Sequence, residues 1–363
     1  MRALRKTTHV RNPLTTTMLA SPSGALDLPL DDVVIVFACS EGFVPYLSVA
    51  IQSIIDNASA ARRYDIVVLT RNITPASMIT LTRQTKSFNV GIGFLDVDAA
   101  LGDIELPHHG HFRPETYYRL LAPTLLPNVD KAIYLDSDLV VNDDVAELFD
   151  VDVTGYPLAA TRDADTLGQI DGYDATVGPY LRDELGMHLM TLAELRRTVS
   201  PERFLEISTE RMWRWLDQDV LNKVVDGNYV RLPMRWNYLM DWQRLRRTHI
   251  VANAGPDVRR EYEAAAADPA IIHFAGPDNQ PWLYTDADGA DVFWRYAMRS
   301  PYLDELRGQL EESRASLPGL AKRVQVLVLF KGIMPAFDRI CPPGSRRRKA
   351  VIGSYMAAGG ANI

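Results

Sequence analysis

In Asp32-Val-Val-Ile-Val-Phe-Ala-Cys39 the seven residues after Asp32 form an uninterrupted apolar run, closed by Ser40-Glu-Gly42. A run this short and this rich in β-branched residues reads as a central parallel strand covered on both faces. Phe43 to Asn57 follows with apolar residues at Leu47, Ala50, Ile51, Ile54 and Ile55, the spacing of an amphipathic helix. The alternation then repeats. Strands are predicted over 64–69, 90–96 and 132–135, and helices over 73–87 and 115–126. Alternating elements of this kind imply right-handed crossovers and an α/β, mostly parallel, doubly wound sheet with flanking helices. After Asp150 the pattern loosens. A strand is predicted over 158–161, a loop over 164–182, helices over 192–197, 206–216 and 256–270, and a continuing or new helix over 219–225. Ala270-Ile-Ile-His-Phe-Ala275 reads as a short strand carrying one histidine.

The strand at 132–135 ends in Asp136-Ser-Asp138. Two acids leaving the sheet together at a strand's C-terminal end face the crevice where open α/β sheets hold ligands. Hard oxygen ligands there suit Mg²⁺ or Mn²⁺ carrying a phosphorylated substrate. The plain alternative is a solvated acidic turn.

A chain of 363 residues allows one large α/β domain with extensions, or two domains. The net charge of −7 argues against a general nucleic-acid binder. Two cysteines, Cys39 and Cys341, give no disulfide framework and favour a reducing compartment. No apolar stretch approaches the ~20 residues of a membrane span. Residues 1–31 are basic, lack a signal-peptide core and read as a poorly ordered leader.

Five segments in order resemble the retaining glycosyltransferases of family 8. They are Phe37-Ala38; Arg113-Pro-Glu-Thr-Tyr-Tyr-Arg119-Leu; Tyr134-Leu-Asp136-Ser137-Asp138; Leu216-Asp217-Gln218-Asp219; and His273-Phe-Ala-Gly276 followed by Pro281-Trp282. The resemblance covers about residues 32–285. It implies a GT-A fold, a nucleotide-sugar donor (a UDP-hexose, with glucose or galactose) and a Mn²⁺-like ion, with Mg²⁺ as the alternative. Asp136, Asp138 and His273 would hold the ion, and imidazole among the ligands favours Mn²⁺. Donor contacts are implied at Phe37, Ala38, Ser40, Arg119, Asp136, Ser137, Gly276 and Gln280. Asp217 and Gln218 match positions beneath the anomeric carbon, and Asp163 matches an acid near the sugars. Each has a structural alternative: a core histidine for His273, an ordinary helix arginine for Arg119, caps or surface residues for the others. Tyr117, Tyr118, Trp236 and Trp282 read as packing residues.

Three positions depart from the family pattern. Gln280 stands in the slot of a phosphate-binding lysine, after one extra residue. Ser40, with Glu41 beside it, stands where an acid near the base is usual. Glu184 stands where an asparagine touching the donor is expected. These departures motivate one alternative, a sugar-nucleotide-binding protein with impaired catalysis. A second alternative is a haloacid-dehalogenase-like phosphatase, because Asp136-Ser-Asp138-Leu-Val also fits that motif. Its nucleophile normally ends the first strand, however, and here three strand–helix units precede.

The domain reading is a catalytic domain over 32–305, split near 150 into a nucleotide-sugar half and an acceptor half, then a basic amphipathic tail over 306–363. Between Arg314 and Lys349 nine Lys/Arg face one acid, Asp338. Apolar clusters at 324–330 and 333–337 lie among them. Apolar anchors with basic neighbours suit an anionic membrane surface, through residues 315–349; the alternative is a tail packed on the domain. The expected setting is cytoplasmic and peripheral to the inner membrane face, with a glycan or lipid-linked acceptor.

Overall fold

The computed structural model describes residues 18–19, 32–86, 88–102, 104–108, 113–164, 185–213, 215–240, 246, 251, 254–276, 280–285, 287–316, 324, 328–342, 345–348 and 350–351. The strands are β1 (Met18–Leu19), β2 (Val33–Ala38), β3 (Tyr64–Thr70), β4 (Val90–Asp96), β5 (Ala132–Leu135), β6 (Leu139–Val141), β7 (Leu158–Arg162), β8 (Leu185–Met190), β9 (Val230–Leu232), β10 (Tyr238–Leu239) and β11 (Ile271–His273). Among the described residues, the α-helices of seven residues or more are α1 (Val44–Asn57), α2 (Pro75–Thr85), α3 (Leu192–Thr198), α4 (Pro201–Thr209), α5 (Leu216–Val225), α6 (Pro256–Ala267), α7 (Ala290–Ala297), α8 (Leu303–Ala315) and α9 (Met334–Ile340).

The main sheet runs β1-β4-β3-β2-β5-β8-β7-β9. Pairing is parallel from β1 to β5, antiparallel on both sides of β8, and parallel again at β9. It is a mixed α/β fold with a mostly parallel central sheet. The strand order reverses between β2 and β5, so a crevice opens beyond their carboxyl ends. Side-chain alternation fills both faces. Val33, Ile35 and Phe37 pack with Leu47, Ile51 and Ile54 of α1. Val34 and Val36 pack on the other side with Leu120, Leu121 and Val220.

A second sheet, β10-β11-β6, grows directly from the acidic turn. β11 is antiparallel to β6, with His273 opposite Leu139, and parallel to β10, with His273 opposite Leu239. The Phe274 N–H donates to the Asp138 carbonyl at 2.9 Å. The chain therefore enters Asp136-Ser-Asp138 from one sheet and leaves it into another.

Several expectations change. Helix α1 is buried nearly all round, because Tyr46 and Val49 on its outer side meet a third cluster with Trp282, Phe293 and Leu306. The rings of Tyr46 and Trp282 stack with centroids 4.2 Å apart. The helix expected over 115–126 is a 3₁₀ segment over Pro114–Leu121 and a short α-turn over Ala122–Leu125. Pro123 has no N–H to give the Arg119 carbonyl, which accepts from Ala122 instead. The helix expected over 206–216 ends at Thr209, and α5 starts afresh at Leu216. Leu216 has φ of +45°, a left-handed conformation that a right-handed helix cannot pass through. Strands β6, β8, β9 and β10 have no counterpart among the elements expected from the sequence. Most of the loop expected over 164–182, and the Glu184 departure, lie outside the described residues.

Of residues 1–31, only β1 is described; it adds a two-residue parallel edge strand to β4. Helix α8 runs across residue 305, with Leu306 and Leu310 buried. Among the described residues no helix is long and apolar enough to cross a membrane.

Candidate active site

A cleft of about 370 Å³ opens at the β2/β5 switch point. Both strands deliver side chains to it: Ala38 ends β2 and Ser40 follows it, and Asp136, Ser137 and Asp138 follow β5. The Ser137 hydroxyl donates to the Ala38 carbonyl at 3.1 Å and ties the two ends together.

Arg119 is the buried hinge of the site. Its guanidinium bonds Asp136 at 2.8 Å and Asp217 at 2.6 Å, and its carbon lies 4.1 Å from the centre of the Tyr134 ring. Burial pulls its pKa down, but Asp136, Asp217 and Tyr134 outweigh that and hold it above the usual arginine range. One cation serves two carboxylates, and the more buried acid feels the shortfall. Burial pushes Asp217 up to about 7; Arg119 opposes the rise and Asp136 adds to it.

His273 closes the other side. Its Nε2 stands 3.1 Å from Asp138 Oδ1 and 3.9 Å from Asp136 Oδ2, and its Nδ1–H donates to Asn237 Oδ1 at 2.9 Å. Burial lowers the imidazole pKa, yet the carboxylates of Asp138, Asp136 and Asp163 outweigh it and the net shift is upward. Burial likewise pushes Asp138 up, but His273 reverses the balance and holds it below the ordinary aspartate range.

At the far wall, the Gln218 amide donates to Asp163 Oδ2 at 3.1 Å, joining the start of α5 to the residue after β7. Gly276 also lines the cleft, with φ of +92°, a conformation glycine adopts without penalty. Two residues singled out in the sequence stand apart from the lining. Phe37 is fully buried under α1, because odd positions of β2 face that side. Gln280 opens the turn that carries Pro281 and Trp282; its carbonyl accepts from Leu283 and Tyr284. Trp236, Trp282, Tyr117 and Tyr118 are buried packing residues.

Sequence reasoning missed Asn237 and Arg246, both in the lining. Arg246 donates to the carbonyls of Met240 and Ala275, the latter at 3.2 Å. It is one of three arginines in Arg244-Leu-Arg-Arg247, and nothing local distinguishes it. Glu41 is committed elsewhere: its carboxylate accepts from Thr74 N and Ser77 Oγ, both at 2.7 Å, at the start of α2.

The family model for glycosyl transferase family 8 matches residues 34–286. The chain belongs to this family. It is a glycosyltransferase, which sets aside the phosphatase alternative. General stress protein A of Bacillus subtilis is 26% identical over 263 residues, covering 69% of this chain and 88% of its own. Glycosyltransferase GlyF of Streptococcus pneumoniae is 25% identical over 269 residues, covering 72% of this chain and 60% of its own. Among solved structures, the WbbM bifunctional glycosyltransferase superposes with a TM-score of 0.68 at 26% identity, over 79% of this chain and 53% of that one. The galactosyltransferase LgtC, solved with donor and acceptor sugar analogues, superposes with a TM-score of 0.64 at 24% identity. It covers 77% of this chain and 100% of its own, and it places the present family member in the GT-A fold.

Proposed function

We propose that this family-8 enzyme transfers a hexose, glucose or galactose, from a UDP-linked donor to a glycan or lipid-linked acceptor. In this reading the reaction retains anomeric configuration and uses a divalent ion. The observation that carries the reading is the convergence of Asp136, Asp138 and His273 Nε2 at the switch-point crevice. Among the described residues no three acidic, histidine or cysteine side chains are already spread as a metal cage. The donor chemistry nonetheless fits: two hard carboxylates with one imidazole suit Mn²⁺ better than Mg²⁺. When bound, such an ion supplies Lewis-acid stabilisation of the departing diphosphate. Arg119 fixes the carboxylates of Asp136 and Asp217, so the two acids keep their spacing as charge develops nearby. Gln218, held by Asp163, presents its amide to the sugar face where attack with retention occurs. Ala38, Ser40, Ser137 and Gly276 line the path of the donor, and Phe37 packs beneath it in the core. Arg246 offers the cation that Gln280 lacks, beside the chain that follows His273.

Residues 32–305 form the catalytic unit in this reading, with donor and acceptor halves meeting near residue 150. The tail from 306 onward supports a peripheral, cytoplasmic-face membrane contact. Val324, Val328, Ile333 and Ile340 are exposed, and Asp338 is paired with Arg348, so the acid does not oppose the basic surface. Deleting residues 315–363 should abolish sedimentation with phosphatidylglycerol vesicles at low salt and spare donor hydrolysis. If the full-length chain fails to sediment, the membrane reading is wrong.

The decisive test incubates the protein with radiolabelled UDP-glucose or UDP-galactose and Mn²⁺. Sugar release or transfer, with an α-linked product by NMR from the α-linked donor, supports the reading. Tight UDP binding without turnover would favour the second one, an impaired binding protein, which Ser40 and Gln280 motivate.

A further inference from the structure

We infer that Asn237 is a positioning residue that decides which nitrogen of His273 faces the metal-binding carboxylates. The inference rests on the divalent-ion reading above. Asn237 ends a 3₁₀ turn over Met234–Asn237, directly before β10. β10 runs parallel to β11 with Tyr238 opposite Ile272 and Leu239 opposite His273. That register brings the Asn237 side chain alongside the His273 ring. The amide is 5% exposed, so its polar atoms need protein partners, and its oxygen accepts the Nδ1–H of His273 at 2.9 Å.

An imidazole offers a metal only the nitrogen that carries no proton. With Nδ1 committed as a donor to Asn237, Nε2 is the nitrogen that can give up its proton. Nε2 is also the one beside Asp138 and Asp136. Were a cation held there, Nε2 would be the nitrogen that offers it a lone pair. Without an acceptor at Nδ1, the ring could as well keep its proton on Nε2, bonded to Asp138, and present no lone pair to the cation. Rotation of the ring would be equally unopposed. An amide suits the task because it accepts without adding a third negative charge beside the two carboxylates.

The test titrates Mn²⁺ into the full-length chain with UDP present, following free Mn²⁺ by electron paramagnetic resonance. Asn237→Leu should weaken Mn²⁺ binding by about 10–100-fold, the usual cost of losing such an outer contact. Asn237→Asp keeps an acceptor and should stay within about threefold of wild type. Nitrogen NMR of labelled histidine in the wild-type protein should show Nδ1 protonated and Nε2 bare once Mn²⁺, or diamagnetic Zn²⁺ in its place, is added. Wild-type binding retained within about threefold by Asn237→Leu would overturn this inference alone. A lowered melting temperature with unchanged Mn²⁺ affinity overturns it too, because it marks a merely structural amide. Should Asn237→Leu fail to fold, the NMR result on wild type decides: a proton found on Nε2 and not on Nδ1 refutes the role. Absence of Mn²⁺ binding by wild type would instead overturn the metal reading itself, and this inference with it.

Discussion

Residues 32–150 and residues 151–305 are built by different means. In residues 32–150, β2, β3 and β4 pair along six or seven consecutive residues each, through neighbours in sequence. In residues 151–305 strands β9, β10 and β11 are only two or three residues long, and β10 and β11 are completed by β6, a strand of the first half. The first half specifies its own sheet; the second needs the first as a template. The site lies on the seam. Arg119 of one half is paired with Asp217 of the other, and Asp138 with His273. Binding chemistry and inter-half docking therefore use the same side chains.

The largest expected effect separates these two roles. Asp136→Ala or Asp138→Ala should leave a folded protein whose transfer rate drops by about 10³-fold or more at saturating Mn²⁺, several kcal/mol of lost charge stabilisation. Near-wild-type turnover in either variant would show that the seam serves docking alone. Arg119→Met should cost about 3–5 kcal/mol in urea unfolding, because the buried Asp217 and the half-buried Asp136 lose their shared cation. An unchanged midpoint would mean that the halves dock without it. Asn57→Ala is milder. Its amide donates to Val141 O at 2.9 Å and to the Tyr296 hydroxyl at 3.1 Å, bridging α1, β6 and α7. Loss of about 1–2 kcal/mol is expected; none at all would place the join elsewhere.

A pH slope is expected as well. Asp217 is raised from 3.8 to about 7 in the fold, so the folded state holds a proton that the unfolded chain has released. Its contribution to stability is full below pH 3.8 and is lost as pH rises through about 7. Asp217→Asn should flatten the fall in stability between those values, read from urea midpoints across pH. A wild-type stability that rises through this window relative to Asp217→Asn would contradict the assigned balance at Arg119.

The contrast between halves also decides what was legible in the sequence. Strands β2 to β5 announced themselves as continuous apolar runs because both their faces are covered. Strands β9 and β10 are two or three residues long and carry no period; only their distant partners make them strands. Among the candidate site residues, Arg119, Asp136, Asp138, Asp163, Asp217, Gln218 and His273 are picked out by spaced motifs, and the fold gathers them around one cleft. Asn237 escaped notice because its role depends on the parallel register of β10 with β11, a relation that no local pattern encodes. Phe37 matched a motif, but strand alternation turns its side chain into the core.

The double burial of α1 has a consequence for synthesis. Its inner side is covered by β2, made before it, and by β3 and β5, which are complete by residue 135. Its outer side, with Tyr46 and Val49, waits for Trp282, Phe293 and Leu306. Some 230 residues must still be translated before that cover exists. At the ~5–20 residues per second of translation, the nascent chain displays an apolar helix face for roughly ten seconds or longer. A folded first half with one wet side is a natural client for a chaperone. Expression yield of this enzyme should therefore respond to holdase supply, and to polar substitution at Val49, more than the stability of the finished fold would suggest.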